Sequence, residues 1–282
     1  MRKINIGAGT YWHKEGWEVL DNGGGSYNQP WKHFANAWDT KLPSDAFDIV
    51  YTSHTLEHVP HFLIEKAIAE FNRILKPGGI LRISVPDLEK AARAYIANDV
   101  SFFKEIELHP ADHLGIGSMF LNLIISPGKQ TISANRDFEM IGSYAHTYAY
   151  DFEMLKRLVG KWGFGDIVRS AYGQSSVEEL REPNTIAYKS ERFPIEDEEV
   201  RKRLKPGSEY YITGFDNKPE YSLYIEAIKH EEVAYHPDKE FEYTRRNRFD
   251  DSEVWRIKSA LARTGSRMVD RLFSLYQRIT GR

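Results

Sequence analysis

The chain opens on Ile4-Asn5-Ile6 followed at once by Gly7-Ala8-Gly9-Thr10. An apolar strand running straight into a glycine turn narrows the choice of fold more than any other feature here. Glycine reaches positive φ and carries no Cβ, so the backbone can come close to a ligand. Open α/β sheets bring a strand end up to a nucleotide in this way. The same turn also serves as a plain strand-to-helix corner, and these residues alone leave both readings open.

The rest of the chain supplies an alternation. Glu18-Val19-Leu20-Asp21 reads as a second strand, and the gap from Tyr11 to Trp17 is too short for a full crossover helix. Gly23-Gly24-Gly25-Ser26 marks a loop, and Phe47 to Tyr51 a further strand. Ile64, Ala67, Ile68, Phe71, Ile74 and Leu75 recur at helical spacing and form one apolar stripe. Lys76-Pro77-Gly78-Gly79 is expected to stop that helix, with glycine at its C-cap. Ile80 to Val85 is a strand ending at Pro86-Asp87, and Leu88 to Ala97 a helix. Residues 99–147 break the pattern and carry enough apolar residues, such as Phe102, Phe103, Leu123 and Ile124, to predict an ordered cap. Asp151 to Trp162 returns to a helix, and Ile167-Val168 and Ser222 to Ala227 are late strands, the last reached through a terminal hairpin. Strands alternating with helices predict an α/β, doubly wound, Rossmann-like sheet.

Composition narrows the function. There is no cysteine, which excludes disulfides, thiolate metal sites and a cysteine nucleophile. No run of about 20 apolar residues is present for a transmembrane helix, and no signal-peptide stretch, so the expected location is cytoplasmic. The net charge of −3 is uneven: seven basic residues and one acid between Val254 and Arg282 make the tail +6 and leave −9 for the rest. An acidic body argues against nucleic acid as a partner. Within the tail Leu261, Gly265, Met268, Leu272, Leu275 and Ile279 form an apolar stripe with basic residues on the other faces. That pattern suits self-association or docking through a coiled coil, or peripheral attachment to an anionic membrane.

Five segments stand in order: Asn5-Ile6-Gly7-Ala8-Gly9, Val19-Leu20-Asp21, Trp38-Asp39 before Leu42-Pro43, Phe47 to Val59 containing Ser53-His54-Thr55-Leu56-Glu57-His58, and Glu70 to Leu81 containing Leu75-Lys76-Pro77-Gly78-Gly79. Together they resemble the class I S-adenosylmethionine-dependent methyltransferases, and most of all a subgroup with an Asn-Leu-Gly-x-Gly first strand and a Ser-His-x-Leu-Glu-His segment. The resemblance is strong over residues 3–97 and weaker through 151–164 to 222–229. It implies a mostly parallel seven-stranded sheet with a late antiparallel strand, S-adenosylmethionine as cofactor and S-adenosylhomocysteine as product. Asn5, Gly7, Ala8 and Gly9 would form the cofactor turn, and Ser53, His54 and Leu56 would border its methionine part. Asp21, ending the second strand, suits both ribose hydroxyls, and Asp39 suits the adenine amino group. The chain departs from the commonest class I pattern at Asn5, where an acid is usual, and at Thr10 and Tyr11, where a third glycine is missing. Both departures also move it away from the dinucleotide fingerprint of NAD enzymes.

The resemblance divides the chain into a cofactor-binding half (1–98), a cap that binds the acceptor (99–147), a second half of the core (148–229), a linker (230–253) and the basic amphipathic helix (254–282). Methyl transfer to a hydroxyl benefits from a general base, and histidine titrates in the right range. His146, where the cap returns to the core, is the first choice, and His113, beside Asp112, the second. His54, His58 and His61 have spacings seen in metal sites, but Pro60 interrupts a helix there, and no metal is expected. The leading reading is methyl transfer, on oxygen, to a small molecule or a sugar or glycan. Two alternatives stay open: a non-catalytic S-adenosylmethionine-binding protein and an NAD(P)-dependent oxidoreductase.

Overall fold

In a computed structural model of the chain, the residues described are 1–9, 12–22, 32–104, 114–125, 146–188, 191–194 and 210–236. The chain divides into two units, 1–234 and 235–282, and the predicted tail helix at 254–282 lies outside the described residues. Among the described residues there are ten strands: β1 (Lys3–Ile6), β2 (Trp17–Asp21), β3 (Lys32–Phe34), β4 (Phe47–Ser53), β5 (Leu75–Pro86), β6 (Phe164–Ser170), β7 (Thr185–Tyr188), β8 (Glu191–Pro194), β9 (Tyr210–Thr213) and β10 (Ser222–Lys229). Seven make the main sheet, in the order β3-β2-β1-β4-β5-β10-β6, and three make a small antiparallel sheet, β8-β7-β9. In the main sheet β1 to β5 are parallel, and β10 runs antiparallel to both neighbours. The doubly wound, mostly parallel sheet with one late reversed strand is the expected architecture.

Helix α1 (Ile64–Ile74) buries Ile64, Ala67, Ile68, Phe71 and Ile74, the stripe predicted from spacing. It ends earlier than expected. Leu75 is already extended (φ −74°, ψ 142°), and Lys76 to Gly79 belong to β5, so Gly78 is no C-cap. Pro77 disfavours helical backbone at Lys76 and offers no N–H to continue the turn. Helix α2 (Leu88–Ile96) starts at Asp87, whose carboxylate accepts from the backbone N–H of Glu89 and Lys90. The described part of the predicted cap forms two short helices, α3 (Val100–Lys104) and α4 (Ile116–Ile124), and Phe103, Leu123 and Ile124 join Ala91 and Ala94 of α2 in one apolar cluster. Helix α5 (Phe152–Lys161) is capped by Asp151, which accepts from the N–H of Met154. Among the described residues no helix is long and apolar enough to cross a membrane.

Two differences from expectation matter. The last strand is not the second arm of a tight hairpin: β10 inserts between β5 and β6, and the small sheet lies between β6 and β10 in sequence. That small sheet was not foreseen. Its segment does what the absent first helix would do. Leu180 and Phe215 pack with Trp12, Trp17, Val19, Ile49 and Tyr51 over β1, β2 and β4. The Phe215 ring lies 4.8 Å from Trp17 and 5.0 Å from Tyr51, centroid to centroid. Trp12 donates its indole N–H to Gly214 O at 2.7 Å. Gly214 must be glycine, because its φ is +80° and a Cβ would sit 2.1 Å from Pro183 O.

The distant segment is locked down by charge. Arg82 of β5 is fully buried and spends all its donors: Nε on Asp216 at 3.0 Å, one terminal nitrogen on Glu226 at 2.7 Å and Ser170 at 3.1 Å, the other on Asp216 and on Ala171 O at 3.2 Å.

Four carboxylates outside the candidate site tie the fold to pH. Burial pushes Glu18, Glu70, Glu179 and Glu226 up, but their hydrogen bonds outweigh it and hold each below the usual glutamate range. The donors are Arg2 and His33 for Glu18, Arg73 and Thr40 for Glu70, Lys3 and Trp17 for Glu179, and Ser175, Ser176 and Arg82 for Glu226. A depressed folded pKa gives stability that is present above the unfolded value and lost as pH falls through the folded one. Asp216, pushed up by burial, offsets part of this. The urea midpoint is therefore expected to fall steadily below about pH 4.5, near the unfolded glutamate pKa. A midpoint unchanged down to about pH 3 would contradict these assignments.

Candidate active site

β1 ends in the predicted glycine turn, and Gly7 donates its N–H to Leu20 O at 2.8 Å. Gly7 has φ +76°, and a Cβ there would meet Thr55 Oγ1 at 2.0 Å. Gly9 has φ +70° with open space where its Cβ would point, so a ligand can approach the backbone there. Gly9 N–H donates to Asp21 Oδ2 at 2.8 Å. The acid at the end of β2 is thus held against the turn, where the sequence placed it.

Beside the turn is a pocket of about 110 Å³, lined by Asn5, Gly7, Ala8, Trp12, Tyr51, Ser53, Asn184, Ile212 and Asn217. Small-molecule sites usually enclose roughly 300–1,000 Å³, so a nucleotide-sized ligand would lie only partly inside. Two polar atoms on its lining, Asn184 Oδ1 and Asn217 Oδ1, are buried without a hydrogen-bond partner. Buried polar atoms are normally paired, so this lining fits the polar end of a bound molecule. S-adenosylmethionine carries such an end, and the open approach at Gly9 fits its nucleoside.

Of the residues predicted to hold the cofactor, Asn5, Gly7, Ala8 and Ser53 share the pocket, and Gly9 and Asp21 adjoin it through the turn. Asp39 lies apart from the lining and pairs with Lys41 at 2.7 Å. Leu56 is fully buried, and its carbonyl accepts from the N–H of Val59 at 3.1 Å. His54, at φ +49°, bridges Glu57 at 3.1 Å and Ser222 at 2.9 Å. Sequence reasoning missed Asn184, Ile212 and Asn217. The turn-forming run Gly214-Phe215-Asp216-Asn217 was the only local signal, and nothing in it pointed to β1.

A second cluster follows β4. Glu57 is 1% exposed, and Glu57, His58 and His146 each bring one nitrogen or carboxylate oxygen within 4.8 Å of the others. The His58 and His146 rings meet edge to face at 4.9 Å. Thr147 fastens this arrangement: its N–H donates to Glu57 O at 2.7 Å and its hydroxyl to Val59 O at 2.9 Å. His146 Nδ1 lies 2.7 Å from Leu123 O, which can only accept, so Nδ1 carries the proton and Nε2 is the basic nitrogen. Burial pushes Glu57 up, but the hydrogen bond from His54 and the nearby His58 and His146 bring it down to about 2. Burial and the Glu57 charge push the Tyr150 hydroxyl up, so it stays protonated. His61, by contrast, stacks on Tyr148 at 3.8 Å and takes no part in the cluster. His113 lies outside the described residues.

Residues 26–83 match the family described as a methyltransferase domain. No curated protein matches the chain. Similar solved structures include S-adenosylmethionine-dependent methyltransferases of Thermotoga maritima (16% identity, 81% of this chain and 82% of that one, TM-score 0.38) and Archaeoglobus fulgidus (16% identity, 81% and 86%, TM-score 0.37). Another, of Mesorhizobium loti, is 11% identical over 80% of this chain and 90% of that one, with TM-score 0.37. The methyltransferase-domain match falls on β4, α1 and most of β5, and the glycine turn held by Asp21 and the one reversed strand of the seven-stranded sheet agree with the resemblance to class I S-adenosylmethionine-dependent methyltransferases.

Proposed function

We propose that the acceptor is a hydroxyl group of a small molecule or a glycan, methylated at the carboxyl end of β4. The observation that carries this reading is the Glu57, His58 and His146 cluster, which sits immediately after that strand and beside the cap. When bound, S-adenosylmethionine supplies an activated methyl group on its sulfonium. The protein has to hold the acceptor in line and help remove its proton. His146 Nε2 is oriented for the second task by the bond from Nδ1 to Leu123 O. A nitrogen acceptor that is neutral at working pH needs no such group, which favours oxygen.

Asn5, Ser53, Asn184 and Asn217 would receive the amino-acid end of the cofactor, and Asp21 its ribose. His54 is already engaged on both ring nitrogens, which favours a supporting role for it. Calorimetric titration with S-adenosylhomocysteine and then with NAD tests the cofactor assignment. Binding of S-adenosylhomocysteine alone is expected, and binding of NAD alone would overturn the reading. Incubation of S-adenosylmethionine with panels of phenols and sugars, read by mass spectrometry, tests the acceptor. Methylation confined to amine controls would rule out a hydroxyl.

A further inference from the structure

We infer that Glu57, His58 and His146 bind a divalent transition-metal ion of the zinc type, which holds and activates the acceptor hydroxyl. The inference rests on the proposed function and deepens it. Two imidazoles and a carboxylate converge here, and their donor atoms all lie within 4.8 Å of one another. Zn²⁺ bonds of about 2.0–2.2 Å need tetrahedral ligands roughly 3.4 Å apart, so the three must close by an ångström or so. The His58 side chain is 26% exposed and its Nε2 lies 4.0 Å from Glu57 Oε1.

An independent observation points the same way. Glu57 Oε2 is buried and has no hydrogen-bond partner, while Oε1 bonds to His54 at 3.1 Å and lies 4.0 Å from His58 Nε2. An ionised carboxylate oxygen left unpaired inside a protein is costly, and a cation beside it removes the cost. The ligands are also oriented as metal ligands usually are. His146 donates its Nδ1–H to a backbone carbonyl, and Glu57 is steadied by a histidine N–H. A two-histidine, one-carboxylate set suits Zn²⁺, Co²⁺ or Fe²⁺ and is a poor match for Mg²⁺, which takes oxygen ligands.

Three protein ligands leave a fourth position, the pattern of catalytic rather than structural zinc sites. An acceptor hydroxyl in that position loses its proton to water more readily. Its oxygen then forms the O–C bond as the S–C bond breaks, and that bond's electron pair stays on sulfur. His146 is a ligand in this scheme and no longer a free base.

The test uses the full-length protein after chelator treatment. Titration with ZnCl2 is expected to show one site, weakened at least tenfold by Glu57→Gln and, separately, by His58→Gln. CoCl2 is expected to give the visible absorption of a four-coordinate ion, lost in the same variants, and MgCl2 to give no binding. His58 is partly exposed, so that variant stays informative should Glu57→Gln fail to fold. Absence of one-to-one Zn²⁺ binding, or binding untouched by both variants, would overturn the inference. S-adenosylhomocysteine is titrated into the same sample. Its binding without Zn²⁺ binding removes the metal and leaves His146 as the base. Zn²⁺ binding without it confirms the metal site and removes the proposed function.

Discussion

Replacing Arg82 with methionine is expected to lower the stability of the fold by about 3–5 kcal/mol, the usual cost of leaving buried charges without their partner. Arg82 and Asp216 are fully buried, and Glu226 is 5% exposed. Methionine fills most of the arginine's volume, so the loss reports charge and hydrogen bonding more than a cavity. Glu226 keeps bonds from Ser175 and from the N–H and hydroxyl of Ser176, at 3.0 and 2.8 Å for the latter pair. Asp216 keeps one, from Gly173 N–H at 3.1 Å. Most of the penalty therefore falls on Asp216, and adding Asp216→Asn to Arg82→Met should recover part of it. Urea denaturation followed by tryptophan fluorescence measures both. Loss below about 1 kcal/mol for the single variant, the level of an exposed ion pair, would show that the network is not holding the segment. Asn217 follows Asp216 directly and lines the pocket, so the same variant should also weaken S-adenosylhomocysteine binding.

Asp21→Ala is the second large expected effect. Hydrogen bonds to a charged group contribute about 1.5–3 kcal/mol each. Asp21 would lose those to the ribose and also the one that holds Gly9 N–H at 2.8 Å. A net loss of about 3 kcal/mol, roughly 150-fold in Kd, is expected for S-adenosylhomocysteine. Asp21→Asn keeps an acceptor for Gly9 and should fall between alanine and the native residue. The apo protein's melting temperature serves as the control. A large drop in melting temperature with little change in Kd would make Asp21 a brace for the turn and no ligand for the ribose.

Much of the fold was legible in the sequence because its signals are local. The 3.6-residue stripe of α1, the helix from Asp151 and the glycine turn after β1 each depend on a few neighbouring residues. The misreadings were local signals overruled by pairing. Lys76-Pro77-Gly78-Gly79 has the composition of a helix stop. The chain had already turned extended at Leu75, because Phe47 and Leu75 pair between β4 and β5. The late strand follows turn residues, as a hairpin arm would, yet it pairs with β5 on one side and β6 on the other.

The candidate site divides the same way. Asn5, Gly7, Gly9 and Asp21 could be read because they lie within two adjacent strands and one turn. His146 stands out from its place between cap and core, whereas Glu57 belongs to the motif after β4 and His58 groups by spacing with His54 and His61 rather than with His146. Their convergence depends on Thr147 bonding back to Glu57 and Val59, and no spacing rule encodes that.

The sequence by itself determined the alternating α/β frame, the glycine turn and the missing first helix, since each follows from backbone geometry and hydrophobic period over short range. Only the tertiary structure decided what fills the helix's place. Leu180 and Phe215 cover β1, β2 and β4, and Asn184 and Asn217 complete the pocket beside Gly7. An exposed apolar sheet face must be buried by some part of the chain, but hydrophobicity has no direction and names no partner. The choice falls to long-range fit, here the match of Arg82 to Asp216 and of Trp12 to Gly214 O.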